Sequence, residues 1–160
     1  MISLFSFKNF DKEEQKIVFV SNEINIFKEI ELEIQEQIDE VAAIKTYYGP
    51  MTAYGPDCVG CTTGCTASGY NVLNGNIYYN DKTYGKIRIV AADKSLPFGT
   101  IIRISGLDIL EESFLAIVLD RGSAIGFNKK SYFDLLYNSE KETLTFGRRY
   151  ANFDIIRLGY

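Results

Sequence analysis

The chain has 160 residues, 46% of them apolar and 14% aromatic, which is enough to fill the core of one domain. Its net charge of −4 argues against a phosphate-binding surface, so nucleic acid is not an expected partner. The absence of histidine excludes Ser-His-Asp and Cys-His catalysis and every histidine metal site. No apolar run approaches the roughly 20 residues that span a bilayer. Any general acid must therefore be an Asp, Glu, Cys, Tyr or Lys side chain.

The N-terminal part of the sequence predicts a helix. Residues 1–10 are apolar but lack a basic start, so they do not resemble a signal peptide. Residues 16–21 could form a short strand. From about residue 22 to residue 45, apolar residues recur on one helical face (Phe27, Ile30, Ile34, Ile38, Val41). An amphipathic helix packed on the domain and a stalk or short coiled coil both remain open.

Three cysteines lie in a loop rich in Gly, Thr and Ser: Cys58, Cys61 and Cys65. Zinc usually takes four ligands, and no histidine can complete the set. Unpaired loop cysteines, one disulfide, and a zinc or iron–sulfur site are all compatible with this spacing. If two cysteines pair, we expect Cys58 to bond to Cys65 rather than to Cys61, because the longer loop reaches disulfide geometry with less strain.

Short apolar segments separated by Gly and Pro turns predict β-strands over most of the remaining chain. No repeat of solenoid length accompanies them. This pattern indicates a closed β-barrel rather than an α/β sheet. The predicted strands are residues 51–54, 76–79, 86–91, 100–104, 114–119 and 152–158.

Two aspartates are candidate catalytic groups. Asp120 follows a buried strand and precedes Gly122, so its position should leave it partly desolvated. Desolvation raises the pKa of a carboxyl, which suits a proton donor near neutral pH. Asp134 follows after a polar loop, between Phe133 and Leu135. The alternative is that both aspartates only brace turns, which is the commoner role of Asp beside Gly.

The ordered motifs resemble the "3D" domain, named for three aspartates. The motifs are MTAY at 51–54, TASG at 66–69, VAADKSLPFGT at 90–100, LDRGSAIG at 119–126, YFDLL at 132–136 and FGRR at 146–149. Matched residue by residue, the three aspartates are Asp93, Asp120 and Asp134. The sequence departs from the family at Arg121-Gly122-Ser123, where Thr-Gly-Gly is usual, and at Gly126-Phe127, where a basic residue is usual.

The resemblance implies a fold and an activity. Proteins with this domain are similar in their barrel to the MltA-type lytic transglycosylases and to RlpA. Residues 47–160 would form a six-stranded double-psi β-barrel, mainly β, with residues 1–46 as an N-terminal extension. The implied function is cleavage of the peptidoglycan glycan strand outside the cytoplasm, at the cell wall or cell surface, without a cofactor. A membrane anchor or stalk in a missing N-terminal segment would hold the chain there.

The expected site follows from these matches. Asp120 would act first as acid and then as base, and Asp93 and Asp134 would hold it by hydrogen bonds. We expect the three carboxyls to converge in one groove, with Asp120 the most accessible. The sugar groove would be lined by Tyr54, Thr66, Gly122 and Ser123. Two alternatives stay open, namely a non-catalytic wall-binding or accessory module and an inverting glycoside hydrolase that uses two aspartates.

Overall fold

The N-terminal segment is one long helix. The computed structural model describes residues 12–58, 63–110 and 112–160. At residues 12–22, 38 and 39 it describes the backbone but not the side chains. Helix α1 runs over Lys12–Glu40. The strand predicted at residues 16–21 is therefore wrong, because adding residues to a helix already formed outweighs the weak strand preference of a short apolar run. The signal-peptide prediction falls on residues 1–10, outside the described residues.

The apolar side chains of α1 are exposed. The described ones with 46% or more of their surface accessible are Ile24, Ile26, Phe27, Ile30, Leu32 and Ile34. Among the described side chains of the predicted stripe, only Val41, which lies just past the end of α1, packs against a buried cluster. The chain divides into two units, of which the first ends at Gln37 and the second begins at Ile38. None of the helices in the described part of the chain is long and apolar enough to cross a membrane.

Six strands close into a barrel. The strands are β1 (Lys45–Tyr54), β2 (Tyr78–Asp81), β3 (Gly85–Ala92), β4 (Ile101–Ser105), β5 (Phe114–Asp120), β6 (Phe133–Leu136) and β7 (Arg149–Arg157). Their order is β3-β5-β4-β7-β1-β6, and a further β3–β6 pairing closes the ring, while β2 extends from β3. The pairs β1–β6 and β3–β5 are parallel, and the other pairs are antiparallel. The predicted mainly-β, closed barrel is confirmed.

Alternation along the strands produces two buried clusters. On β5, Ala116 and Val118 belong to one cluster, and Leu115 and Ile117 belong to the other. The first cluster receives side chains from all six barrel strands, so it fills the barrel interior. The second includes Val72 and other residues outside the ring, so it lies between the outer face of the barrel and the segment before β2. The outer face is therefore covered in part, and the candidate site lies on this face.

Several predicted boundaries shift, and two elements are new. The helix begins at Lys12 rather than at about residue 22, β2 is Tyr78–Asp81 rather than residues 76–79, and β7 begins at Arg149 rather than at residue 152. The helix ends at Glu40 rather than at residue 45, and β1 begins at Lys45 rather than at residue 51. The early part of β1 pairs with β7 over Lys45–Met51, a long-range contact that no local pattern reveals. Strand β6 was not predicted, because its four residues are too short for a visible alternation. A short helix, α2 (Glu140–Thr143), follows it and is N-capped by Ser139.

Candidate functional site

One row of paired residues crosses four neighbouring strands. Thr52 on β1 pairs with Asp134 on β6, and Asp134 pairs with Ala91 on β3. Ala91 in turn pairs with Asp120 on β5, just past an irregularity in the β3–β5 register. Because paired residues on adjacent strands point to the same face, both carboxyls stand on one face, and Ala91 is the residue of the row between them. We call these residues the four-strand row. Its two aspartate Cα atoms are about 10 Å apart, two strand spacings.

Asp134 is a partly buried acid in the four-strand row. Its Oδ1 accepts a 2.7 Å hydrogen bond from the Thr52 hydroxyl. Burial raises the pKa of Asp134 to about 6, the negative charges of Glu140 and Asp120 add to the increase, and the Thr52 hydrogen bond opposes it. A carboxyl with this pKa is partly protonated near neutral pH and can donate a proton to a leaving oxygen.

Asp120 is held by three donors. Its Oδ2 accepts a 2.7 Å hydrogen bond from the Tyr54 hydroxyl, and its Oδ1 accepts 2.8 Å hydrogen bonds from the N–H groups of Ala67 and Arg121. Three donors suit a carboxylate, which can only accept. Burial and the charge of Asp120 raise the pKa of Tyr54 far above its usual range, so the phenol keeps its proton and donates it. The orientation of Asp120 is thereby fixed from two sides.

Asp93 lies at a turn and is not among the residues that line the cavity beside the row. It accepts hydrogen bonds from the N–H groups of Ser95, at 2.8 Å, and Phe127, at 3.3 Å. These bonds, chiefly those from Ser95, hold the pKa of Asp93 below its usual range. A Cβ at Gly126, where φ is +154°, would lie 2.3 Å from Asp93 Oδ2. Asp93 therefore fastens the turn after β3 to the segment that leads into β6.

The four-strand row opens into a cavity of about 340 Å³. Ala91, Asp120 and Asp134 lie together in its wall, and Tyr54 stands beside them. The remaining lining residues are Pro56, Cys58, Thr63, Gly64, Cys65, Val72, Arg121 and Gly122. The structure thus brings Asp120 and Asp134 to one cavity. The hydrogen bonds given above for Asp120, Asp134 and Asp93 come from hydroxyl and N–H groups. None of these bonds joins two of the three carboxyls.

Two predicted groove residues have other positions. Thr66 is buried, its hydroxyl lies 3.0 Å from that of Ser68, and it accepts a hydrogen bond from the Tyr70 N–H. Thr66 therefore stabilises its own loop and is not part of the cavity lining. Ser123 is exposed and also absent from that lining, because the chain turns away after Gly122. Gly122 and Tyr54 do line the cavity, as expected.

The described part of the cysteine loop, Cys58 and residues 63–65, lines the cavity. Cys58 is disulfide-bonded, and Cys65 is a free, exposed thiol. The predicted pairing of Cys58 with Cys65 is therefore wrong. Cys65 forms a β-bridge with Asn71, and this backbone pairing decides its position, which the loop-strain argument ignored. Cys61 lies outside the described residues. A disulfide-bonded Cys58 cannot serve as a thiolate ligand, and the described residues contain no group of three or more side chains suited to a metal ion.

Arg121 is a residue of the site whose role the sequence did not reveal. Its Nη2 donates a 2.6 Å hydrogen bond to the Leu96 carbonyl, and its guanidinium lies 4.1 Å from the centre of the Phe98 ring. Burial lowers the pKa of Arg121, and the nearby charges of Asp93 and Asp120 oppose that change. The one available signal was the departure from the family's usual threonine at this position. Arg121 places a fixed positive charge in the cavity wall.

Comparison with curated proteins finds a relative that is itself uncharacterized. The chain is 35% identical over 108 residues to the SPbeta prophage-derived uncharacterized protein YorM of Bacillus subtilis strain 168. The match covers 67% of this chain and 40% of that protein, so the chain spans well under half the length of this relative. No family model matches the chain.

The arrangement has a defined chemical capacity. Asp134 can release a proton into the cavity near neutral pH, and Asp120 presents an oriented carboxylate on the same face. Glycosidases commonly cleave the glycosidic bond with a pair of carboxyls that lie in different environments. The site could therefore protonate a leaving oxygen and stabilise positive charge at the neighbouring carbon.

Proposed function

We propose that the chain is a lytic transglycosylase that cleaves the MurNAc–GlcNAc bond of peptidoglycan, with Asp134 as the proton donor. The observation that supports this most is the four-strand row, in which Asp134 and Asp120 share one face beside a cavity. The sequence alone favoured Asp120 as the donor. We assign the donor to Asp134 because burial raises its pKa to about 6, whereas three donors surround Asp120.

The proposed reaction needs no water. Asp134 protonates the glycosidic oxygen, and the bond between that oxygen and the sugar C1 breaks. The Asp134 carboxylate then takes the proton from the 6-hydroxyl of the same sugar, whose oxygen attacks C1. The products are a new chain end and a 1,6-anhydro sugar, and Asp134 regains its proton. Asp120 faces the positive charge that develops at C1, and Tyr54 keeps it oriented.

We propose further that the barrel is the double-psi barrel of the 3D-domain proteins. Its two parallel pairs, β1–β6 and β3–β5, require connections that cross the barrel, as interlocking psi-shaped loops would. Asp93 would then be a positioning residue of the motif, because it joins two turns around the site. The family likeness rests on the ordered motifs in the sequence.

We place the site of action outside the cytoplasm, at the cell wall. Disulfides persist mainly in oxidising compartments, and Cys58 is disulfide-bonded. Peptidoglycan, the proposed substrate, lies there too. A membrane anchor or stalk preceding the barrel would keep the enzyme near its polymer.

The spacing of Asp120 and Asp134 in the four-strand row is also compatible with one alternative function. An inverting hydrolase has carboxyls about 6.5–9.5 Å apart, with a water between them. Two strand spacings separate Asp120 from Asp134, and the small Ala91 between them leaves room. Such an enzyme would leave ordinary reducing ends rather than anhydro ends. A wall-binding module would bind the polymer and leave it intact.

Digestion of purified peptidoglycan with mass analysis of the products tests the proposal. Anhydro ends from the parent protein, and none from Asp134→Asn, are the expected result. Reducing ends would identify the hydrolase instead. Intact polymer after long incubation, together with binding in a pull-down, would identify the non-catalytic module.

A further inference from the structure

Helix α1 carries an apolar seam with the spacing of a coiled coil. Ile24, Phe27 and Ile34 are separated by three and seven residues, which places Ile24 at an a position and Phe27 and Ile34 at d positions of a heptad repeat. Their side chains are 50%, 65% and 52% exposed. The sequence continues this spacing at Ile17, Val20 and Ile38, so the seam extends over three heptads.

We infer that α1 forms a parallel two-stranded coiled coil with α1 of a second copy of this chain. The helix has 29 residues and is about 43 Å long, enough for three heptads of seam. The seam is exposed throughout its described part, so a partner helix would bury it. This association is independent of the proposed glycan cleavage.

Charge complementarity favours a second copy in parallel orientation. With Ile24 at a, Glu23 is a g residue and Lys28 is the following e residue. In a parallel pair each g residue faces the next e residue of the partner helix, so Glu23 of each copy meets Lys28 of the other. Both residues are exposed and available for this contact.

Glu31 is the one polar residue in the seam and occupies an a position. A polar residue at a single a position fixes register and oligomeric state at a cost in stability. In the parallel pair the two Glu31 carboxylates would face each other. The seam therefore predicts that Glu31→Leu tightens the dimer. A variant that folded poorly would weaken the dimer instead, so a tighter dimer cannot result from a loss of folding.

Sedimentation equilibrium of the full chain tests the inference with matched variants. Ile34→Glu places a charge in the seam, and we expect the dimer dissociation constant to rise by about 100-fold or more, since two buried isoleucines are lost. Leu32→Glu is the control, because Leu32 is 69% exposed but occupies a b position on the outside of the pair. Its dissociation constant should stay within about threefold of the parent's.

Three further variants test orientation and register. Lys28→Glu should weaken the dimer by several-fold, and adding Glu23→Lys should restore it. Glu31→Leu should tighten it. Circular dichroism at 222 nm verifies that each variant keeps its helix, as expected for substitutions among good helix formers. A parent that stays monomeric at all concentrations, or equal weakening by Ile34→Glu and Leu32→Glu, would overturn the inference.

Discussion

Two of the three aspartates singled out in the sequence, Asp134 and Asp93, occupy opposite electrostatic environments, and the backbone explains why. Asp134 lies inside β6, where the ladders to β1 and β3 use the surrounding N–H groups, so its carboxyl has the Thr52 hydroxyl as its hydrogen-bond donor. Asp93 lies in a turn, where the N–H groups of Ser95 and Phe127 are free to bond to it. Burial raises the pKa of the first, and hydrogen bonds lower the pKa of the second. The position inside a strand therefore gives Asp134 a raised pKa, and the position in a turn gives Asp93 the N–H hydrogen bonds that join two segments.

The largest expected effect is the loss of catalysis in Asp134→Asn. The amide keeps the shape and can still accept from Thr52, but it cannot donate the acid proton. We expect glycan cleavage to fall by about 10²–10⁴-fold, the usual contribution of a general acid. Release of soluble fragments from labelled peptidoglycan measures the rate. Asp93→Asn is the comparison variant, and it should retain measurable cleavage in its folded fraction. An equal loss of cleavage in both variants would contradict the assignment of different roles to Asp134 and Asp93.

The second expected effect is a pH-dependent penalty on stability from Asp134. Its pKa is about 6 when folded, above the ordinary 3.8, so the folded state binds the proton more tightly. The contribution of Asp134 to the free energy of unfolding should therefore decrease as pH rises from about 4 to 6, by roughly 3 kcal/mol, and then level off. Urea unfolding at several pH values, compared with Asp134→Asn, isolates this contribution. Parallel pH curves for the two proteins would contradict the assignment.

The third effect concerns the turn that Asp93 braces. In Gly126→Ala the new Cβ would lie 2.3 Å from Asp93 Oδ2, at a backbone φ of +154°. We expect a loss of about 2–3 kcal/mol in the free energy of unfolding. Gly147→Ala is the control, because φ is +62° there but nothing lies within 4 Å of the new atom. It should cost about 1 kcal/mol, the backbone part alone. Equal losses in thermal unfolding would show that the approach to Asp93 does not matter.

The smallest expected effect is at Tyr54. Tyr54→Phe removes the 2.7 Å hydrogen bond to Asp120 Oδ2 and leaves the ring in place. We expect a loss of about 1 kcal/mol in stability and a several-fold decrease in cleavage rate, because the N–H bonds to Oδ1 still hold the carboxylate. Tyr48→Phe on the same strand, where the ring is 65% exposed, should change neither quantity. A Tyr54→Phe variant indistinguishable from Tyr48→Phe would remove Tyr54 from the site.

The sequence predicted the parts that depend on local pattern. Strand β5 was found to within one residue, because its continuous apolar run stops at Asp120. The closed barrel followed from the turns between short strands. Strand β6 was missed because Asp134 interrupts four residues that are too few to show alternation. The row that joins Asp134 to Asp120 depends on pairing with Ala91, a contact between distant segments that no local window contains.

The same limit bears on the choice of the proposed proton donor. Desolvation at a strand end was a sound reason to look at Asp120, but the donors that surround it come from Tyr54 and Ala67, far away in sequence. The sequence placed Asp134 after a polar loop, between Phe133 and Leu135, and its partial burial became visible only once β6 was placed between β1 and β3. Burial and donor count depend on tertiary neighbours, so the sequence could nominate the carboxyls but not rank them.

The comparison between the two aspartates can be measured directly by NMR titration of the carboxyl carbons. With ¹³C-labelled aspartate and assignment through Asp134→Asn and Asp93→Asn, the account predicts a midpoint near 6 for Asp134 and a midpoint below the ordinary aspartate value for Asp93. Titration of both carboxyls at the ordinary aspartate pKa would contradict the account, because the strand interior would then not raise the pKa of Asp134.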